Sequence, residues 1–123
     1  MLKSYKDLFV WQKAYQLCLE VYKATKQFPA EEKFVLVSQI RRAALSILSN
    51  IAEGYGRRTT GEYIHSLYIA YGSVCELEAQ IMLSGDLGYV EDGVLKKLLA
   101  NISEVERMLK GLIKSLEDKH STP

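Results

Sequence analysis

The stretch SQIRRAALSILSNIAEGYGRR, residues 38–58, decides the fold of this chain. Small residues fill much of its surface, so the helix that it predicts is expected to be buried on several sides. Ser38 is a candidate N-cap, and Gly54 and Gly56 supply the permissive backbone that ends a helix. The apolar residues around this stretch recur at steps of three and four, which is the spacing of one helical face: Val37, Ile40, Ala44, Ile47 and Ile51.

The same periodicity runs through the rest of the chain and predicts helices at about residues 5–27, 35–55, 60–84 and 92–117. Thr59 and Glu62 fit a capping box at the start of the third helix. Short connections between four such helices predict a single all-α domain, 1–123, folded as an antiparallel up-down-up-down left-handed four-helix bundle. The fourth helix carries a heptad seam of Leu95, Leu98, Ile102, Val105, Leu109, Leu112 and Leu116.

The first and third helices each carry two apolar stripes, although a surface helix of a monomer needs only one. A large contiguous apolar surface is rare on monomers, so we expect a homo-oligomer whose subunit number the stripes do not fix. In the first helix the stripes are Leu8, Trp11, Tyr15, Cys18, Tyr22 and Val10, Ala14, Leu17, Val21, Ala24, Phe28. In the third they are Tyr63, Leu67, Ala70, Val74, Leu77, Ile81 and Ile64, Tyr68, Tyr71, Cys75, Met82.

Charge and cysteine content limit the function classes. The chain has 16 Lys+Arg against 15 Asp+Glu, a net charge of +1, so any binding of nucleic acid must come from a local patch. Cys18 and Cys75 both fall in apolar helical patterns and are expected to be reduced core thiols. The sequence shows no signal peptide and no membrane-spanning run, so we expect a cytoplasmic protein with no membrane partner.

Catalytic and metal-binding patterns are weak. Glu62 and His65 have the Glu-x-x-His spacing of di-iron bundles, but the second such pair that a di-iron site needs is missing, and the other histidine is His120 near the end. Thiols on apolar stripes are inert nucleophiles. GYGRRTTG, residues 54–61, lacks the spacing and the lysine of a phosphate-binding Walker motif. We therefore predict no enzyme activity, no cofactor and no metal.

Several segments together resemble a known family. NIAEGYGRR preceded by QIRRAALSI, with DLFVWQKAYQL at 7–17, FPAEEKF at 28–34 and IAYGSVCELEAQI at 69–81, resembles the bacterial four-helix-bundle proteins encoded in 23S rRNA intervening sequences, some labelled S23 ribosomal proteins. The family often has proline where this chain has Leu48, so we expect a straighter second helix here. The family is also similar to the accessory protein of diversity-generating retroelements, a pentameric barrel that binds a reverse transcriptase and nucleic acid. The resemblance implies a homopentamer.

Two function classes remain open. One is an oligomeric scaffold that binds RNA or DNA weakly through an arginine-rich rim, as the genomic setting of the resembling family implies. The other is a protein-binding or structural scaffold with no nucleic-acid role. The candidate nucleic-acid-binding residues are Arg57, Arg58, Arg41 and Arg42. For Arg41 and Arg42 the competing hypothesis is an ion pair with Glu76 or Glu78, inside the subunit or between subunits.

Overall fold

The computed structural model describes residues 2–120. This part of the chain contains four α-helices, two short 3-10 turns and no strand. The prediction of an all-α four-helix bundle is confirmed, while the left-handed sense and the complete up-down-up-down order stay predictions. The helices are α1 (Phe9–Thr25), α2 (Leu36–Tyr55), α3 (Thr60–Asp86) and α4 (Asp92–His120), and the 3-10 turns are Tyr5–Asp7 and Ala30–Glu32.

The first helix begins later than its pattern predicts. Ser4 caps the turn at Tyr5–Asp7, since its hydroxyl accepts from the Lys6 amide and the Asp7 carboxylate accepts from the Ser4 amide. Leu8 then takes an extended conformation, with ψ of 124°, which separates this turn from α1. The helical periodicity before Phe9 therefore belongs to a separately capped turn.

The start of α3 is capped by a side chain, whereas the start of α2 is not. Ser38 is not the N-cap of α2, because the helix begins at Leu36 after Val35, which makes no side-chain capping bond. The N-cap predicted at Thr59 is confirmed, since its hydroxyl oxygen accepts from the Glu62 amide at 3.1 Å. The Glu62 carboxylate accepts from the same hydroxyl at 3.0 Å, so both residues of the predicted capping box contribute to this end.

Each helix packs against two neighbours, with α2 between α1 and α3, and α4 between α3 and α1. Ser46 and Ser73 are bonded at 2.8 Å, and the rings of Tyr55 and Tyr63 lie 6.2 Å apart, so the end of α2 meets the start of α3. The helices approach closely at glycines. A Cβ on Gly85 would lie 2.6 Å from Leu95 Cδ2 on α4. The absence of a side chain at Gly85 therefore leaves room for the Leu95 side chain between α3 and α4.

The core uses one face of every helix. On α4 the buried positions depart from the predicted heptad seam near the end of the helix. There Ile113 is buried, whereas Leu112 is only partly buried. A straight helix of 3.6 residues per turn rotates away from a strict seven-residue repeat, which accounts for the change. The largest fully buried side chains are Leu17, Val21, Ile40, Ile47, Ile51, Leu67, Val74, Leu77, Ile81, Leu98, Ile102 and Leu109.

Candidate binding surfaces

Two of the predicted arginines lie in the connector between α2 and α3. The Gly56 amide donates to carbonyls of the last turn of α2, and the chain then leaves the helix. Arg57 is exposed, and its Nη2 lies 3.9 Å from Glu53 Oε1 one turn earlier. Arg58 is exposed and makes no ion pair within residues 2–120. The connector thus presents one partly compensated cation and one free cation.

A shallow depression of about 470 Å³ adjoins this connector. Arg57, Glu62 and His65 line it together with Asn50 and Ser66. Its lining mixes a cation, a carboxylate and an imidazole, so it has no dominant charge. Among the described residues, no group of three or more possible metal ligands comes together anywhere.

The other two predicted arginines lie elsewhere on α2. The helix from Arg41 to Tyr55, the last residue of α2, spans about 21 Å along the axis, and Arg57 lies beyond that end. Arg42 is exposed, whereas Arg41 is half-buried. The structure therefore does not gather the four arginines into one site. Over the described range neither Arg41 nor Arg42 pairs with Glu76 or Glu78, so the internal form of that hypothesis is wrong and the intersubunit form stays a prediction.

Arg41 connects α2 to the end of α1. Its Nε donates to Thr25 Oγ1 at 2.9 Å, and its Nη2 donates to the Tyr22 carbonyl at 3.2 Å. The guanidinium carbon lies 4.6 Å from the centre of the Tyr22 ring, which adds a cation–π contact. These acceptors are neutral, so the position of Arg41 is fixed while no carboxylate of residues 2–120 forms an ion pair with it.

The outward side of α3 exposes four large apolar side chains, in two pairs on either side of the exposed Glu76. We call Tyr68, Ile69, Met82 and Leu83 the outer face of α3, and these side chains are 44–53% exposed. On the second predicted stripe of α3, Ile64 and Tyr71 are half-buried, and Cys75 is exposed. The expectation that Cys75 is a core thiol is wrong, because it lies on this outward side.

The predicted stripe of α1 that runs from Leu8 to Tyr22 is less open than predicted. Leu8 and Cys18 are buried, and the Tyr5 and Tyr15 rings lie 5.0 and 5.2 Å from the Trp11 ring, which is half-buried. Burial raises the pKa of the Cys18 thiol, which fits an unreactive core residue. The apolar exposure of α1 comes from Phe9, Tyr15 and Leu19, two of which lie outside both predicted stripes.

Polar contacts border the outer face of α3 where it meets α4. Tyr68 donates to Glu117 at 2.8 Å, and this bond raises the pKa of the phenol. Tyr71 donates to Glu106 at 3.2 Å. The bond with Tyr71 and the nearby Glu106 carboxylate raise the pKa of Lys110. These bonds link α3 to α4 along one edge and leave the apolar outer face uncovered.

These features are those of a small four-helix bundle that exposes apolar side chains on the outward side of one helix. The chain belongs to the 23S rRNA-intervening sequence protein family, whose profile matches residues 6–111. It is similar to the crystal structure of a protein of unknown function from the S23 ribosomal protein family of Bacteroides thetaiotaomicron. That similarity has 25% identity and a TM-score of 0.79, over 85% of this chain and 95% of the other. No curated protein matches the chain.

The family assignment confirms the resemblance noted in the sequence. The similarity to the retroelement accessory protein stays a prediction. Within residues 2–120, no helix combines the length and the apolar character needed to cross a membrane.

Proposed function

We propose that this protein is a non-enzymatic cytoplasmic scaffold that assembles into a homo-oligomer through the outer face of α3. The observation that carries the proposal is the exposure of that face. Four large apolar side chains lie open to solvent on a helix whose opposite side is fully buried. Such patches on soluble proteins mark interaction sites. A ring of five subunits is the assembly that the family resemblance implies.

Light scattering at micromolar concentration tests the assembly. We expect a mass several times that of the 14.0 kDa chain. Met82→Glu places a charge in the outer face and should yield monomers, because burying an unpaired charge is unfavourable. Ser115→Glu adds the same charge at an exposed position of α4 and is the matched control. A parent protein that scatters as a monomer would contradict the proposal.

A second candidate function is weak, sequence-tolerant binding of RNA or DNA through Arg57 and Arg58. The exposure of both side chains and the free charge of Arg58 favour it. The pair between Arg57 and Glu53 is a half-exposed i,i+4 contact worth about 0.3–0.5 kcal/mol, so a phosphate can displace the carboxylate. Oligomer symmetry would repeat the pair around a rim, and the planar fork of arginine suits phosphate.

Fluorescence anisotropy with labelled single- and double-stranded RNA at low salt tests this candidate. Arg57→Ala with Arg58→Ala should weaken binding and flatten its dependence on salt. Lys96→Ala with Lys114→Ala removes two exposed cations of α4 and is the control. If the parent binds neither RNA, the result favours a protein-binding scaffold or structural module with no nucleic-acid role. The partial compensation of Arg57 by Glu53 fits that alternative.

A further inference from the structure

A basic groove lies where α1 leads into α2, at the opposite end of α2 from the connector arginines. Its volume is about 300 Å³. Lys26, Lys33 and Arg41 line it, together with the Thr25 hydroxyl and apolar side chains. Among residues 2–120, no acidic side chain lines it. Three basic residues therefore line one concave surface.

Arg41 is the fixed cation of this groove. It is half-buried, and it contacts three neutral groups: a hydroxyl, a carbonyl and a ring. It makes no ion pair with any carboxylate of residues 2–120. Taking a charge out of water is costly unless an opposite charge compensates it. The groove therefore holds a positioned guanidinium that lacks its anion.

The nearest acidic residues in the sequence do not supply that anion. The Glu32 carboxylate accepts from the Tyr89 hydroxyl at 3.0 Å, at the contact of this turn with the segment after α3. Glu31 is exposed, and across the described part of the chain it forms no ion pair with Lys26, Lys33 or Arg41. The positive charge of the groove is thus available to an external ligand.

An aromatic ring stands beside the groove. Phe34 is 84% exposed, the highest value among the large apolar side chains of residues 2–120. The Lys33 ammonium lies 5.4 Å from the centre of its ring, so the ring and a groove cation are neighbours. A basic groove next to an open aromatic face is the combination with which proteins bind single-stranded nucleic acid, because every base can stack on a ring.

We propose that this groove binds a nucleotide unit of single-stranded nucleic acid. The phosphate accepts from Lys26, Lys33 and Arg41, and the adjacent base stacks on Phe34. The site does not depend on Arg57 and Arg58, which lie beyond the other end of α2, about 21 Å of helix from Arg41. Binding is expected to fall with rising salt and to tolerate different bases.

Fluorescence anisotropy with a labelled oligouridylate of about ten nucleotides tests the proposal. Phe34→Ala should weaken binding about tenfold through lost stacking. Lys33→Glu should weaken it at least as much, because it replaces an attraction to phosphate by a repulsion. The matched controls lie at the other end of the bundle: Phe9→Ala removes a ring that is 73% exposed, and Lys114→Glu reverses an exposed charge. Wild-type affinity in both groove variants would overturn the proposal.

Three further measurements separate the rival explanations. If Phe34→Ala dissociates the oligomer in light scattering, the groove contacts a second copy and the proposal fails. If free uridine monophosphate competes as well as the oligouridylate, the ligand is a free nucleotide and the proposal fails in its choice of ligand. Loss of binding in the Arg57→Ala, Arg58→Ala variant alone, with both groove variants at parental affinity, would assign binding to the connector and overturn the groove.

Discussion

Both sides of α3 carry large apolar side chains, but those of the inner side are buried and those of the outer face are exposed. On the inner side, Leu67, Ala70, Val74, Leu77 and Ile81 are 0–1% exposed. On the outer face, four apolar side chains are about half exposed. The inner side accounts for the fold of the subunit, since it packs against α2 and α4. The outer face contributes little to that fold, and this difference is the reason for proposing that it contacts other subunits.

The largest expected effect is on the inner side. Leu77→Ala removes a fully buried side chain and leaves a cavity, which should lower the free energy of unfolding by about 2–5 kcal/mol. Urea denaturation followed by circular dichroism measures it. Leu83→Ala deletes the same atoms from the outer face and is the matched control. Equal losses of unfolding free energy in the two variants, at a concentration where the chain is monomeric, would show that both sides contribute equally to the stability of the subunit.

A second effect concerns the tight contact between α3 and α4. Gly85→Ala places a Cβ at 2.6 Å from Leu95 Cδ2, so the leucine or the helix must move. The contact atoms belong to the flexible, half-buried side chain of Leu95, so we expect a loss of at most about 1 kcal/mol in the free energy of unfolding, the low end for overpacked contacts. Gly72→Ala is the control, because nothing lies within 4 Å of a Cβ there. A more stable Gly85→Ala protein would show that this close approach is not required.

The outer face should respond to protein concentration. Met82→Ala should change the stability of the isolated subunit by less than about 0.5 kcal/mol, as is usual for exposed positions. If the face is an interface, the melting temperature of the parent rises with concentration, and Met82→Ala weakens that rise. Differential scanning calorimetry over a hundredfold concentration range, with Ser115→Ala as control, measures both. A parent melting temperature independent of concentration would count against an interface.

Much of this architecture is contained in local patterns. The 3.6-residue periodicity and the turn residues predict all four helices, and Thr59 predicts the start of α3 because an N-cap depends on residues close in sequence. The start of α2 was not predictable in this way, since no side chain caps it and Ser38 lies inside the helix.

The candidate sites were less predictable, because they depend on contacts between distant residues. The arginine pairs suggested a rim, but the role of Arg41 rests on Thr25 and Tyr22, which another helix brings to it. The basic groove was not predicted from the sequence either, because its lining residues come from α1, the turn after it and α2. Its one local signal is the placement of Lys26 and Lys33 on either side of Phe28 and Pro29.

The smallest expected effect distinguishes two tyrosines of α3 by their titration. Burial raises the pKa of Tyr63, whereas the bond to Glu117 is the main cause that raises the pKa of Tyr68. A phenol whose pKa is higher in the folded state stabilises the fold below its unfolded pKa of about 10, and this stabilisation is lost as pH rises through the folded value.

Tyr68→Phe should therefore lower stability slightly at neutral pH and reduce the loss of stability above about pH 10. Tyr63→Phe should leave the part of the alkaline stability loss that Tyr68 causes unchanged, since the bond to Glu117 comes from Tyr68 and the pKa of Tyr63 is raised by burial. Urea denaturation midpoints between neutral and alkaline pH measure both variants. An unchanged alkaline loss in Tyr68→Phe would mean that the bond between Tyr68 and Glu117 does not stabilise the contact of α3 with α4. The bond between Tyr71 and Glu106 would then be left to link the phenols of α3 to the carboxylates of α4.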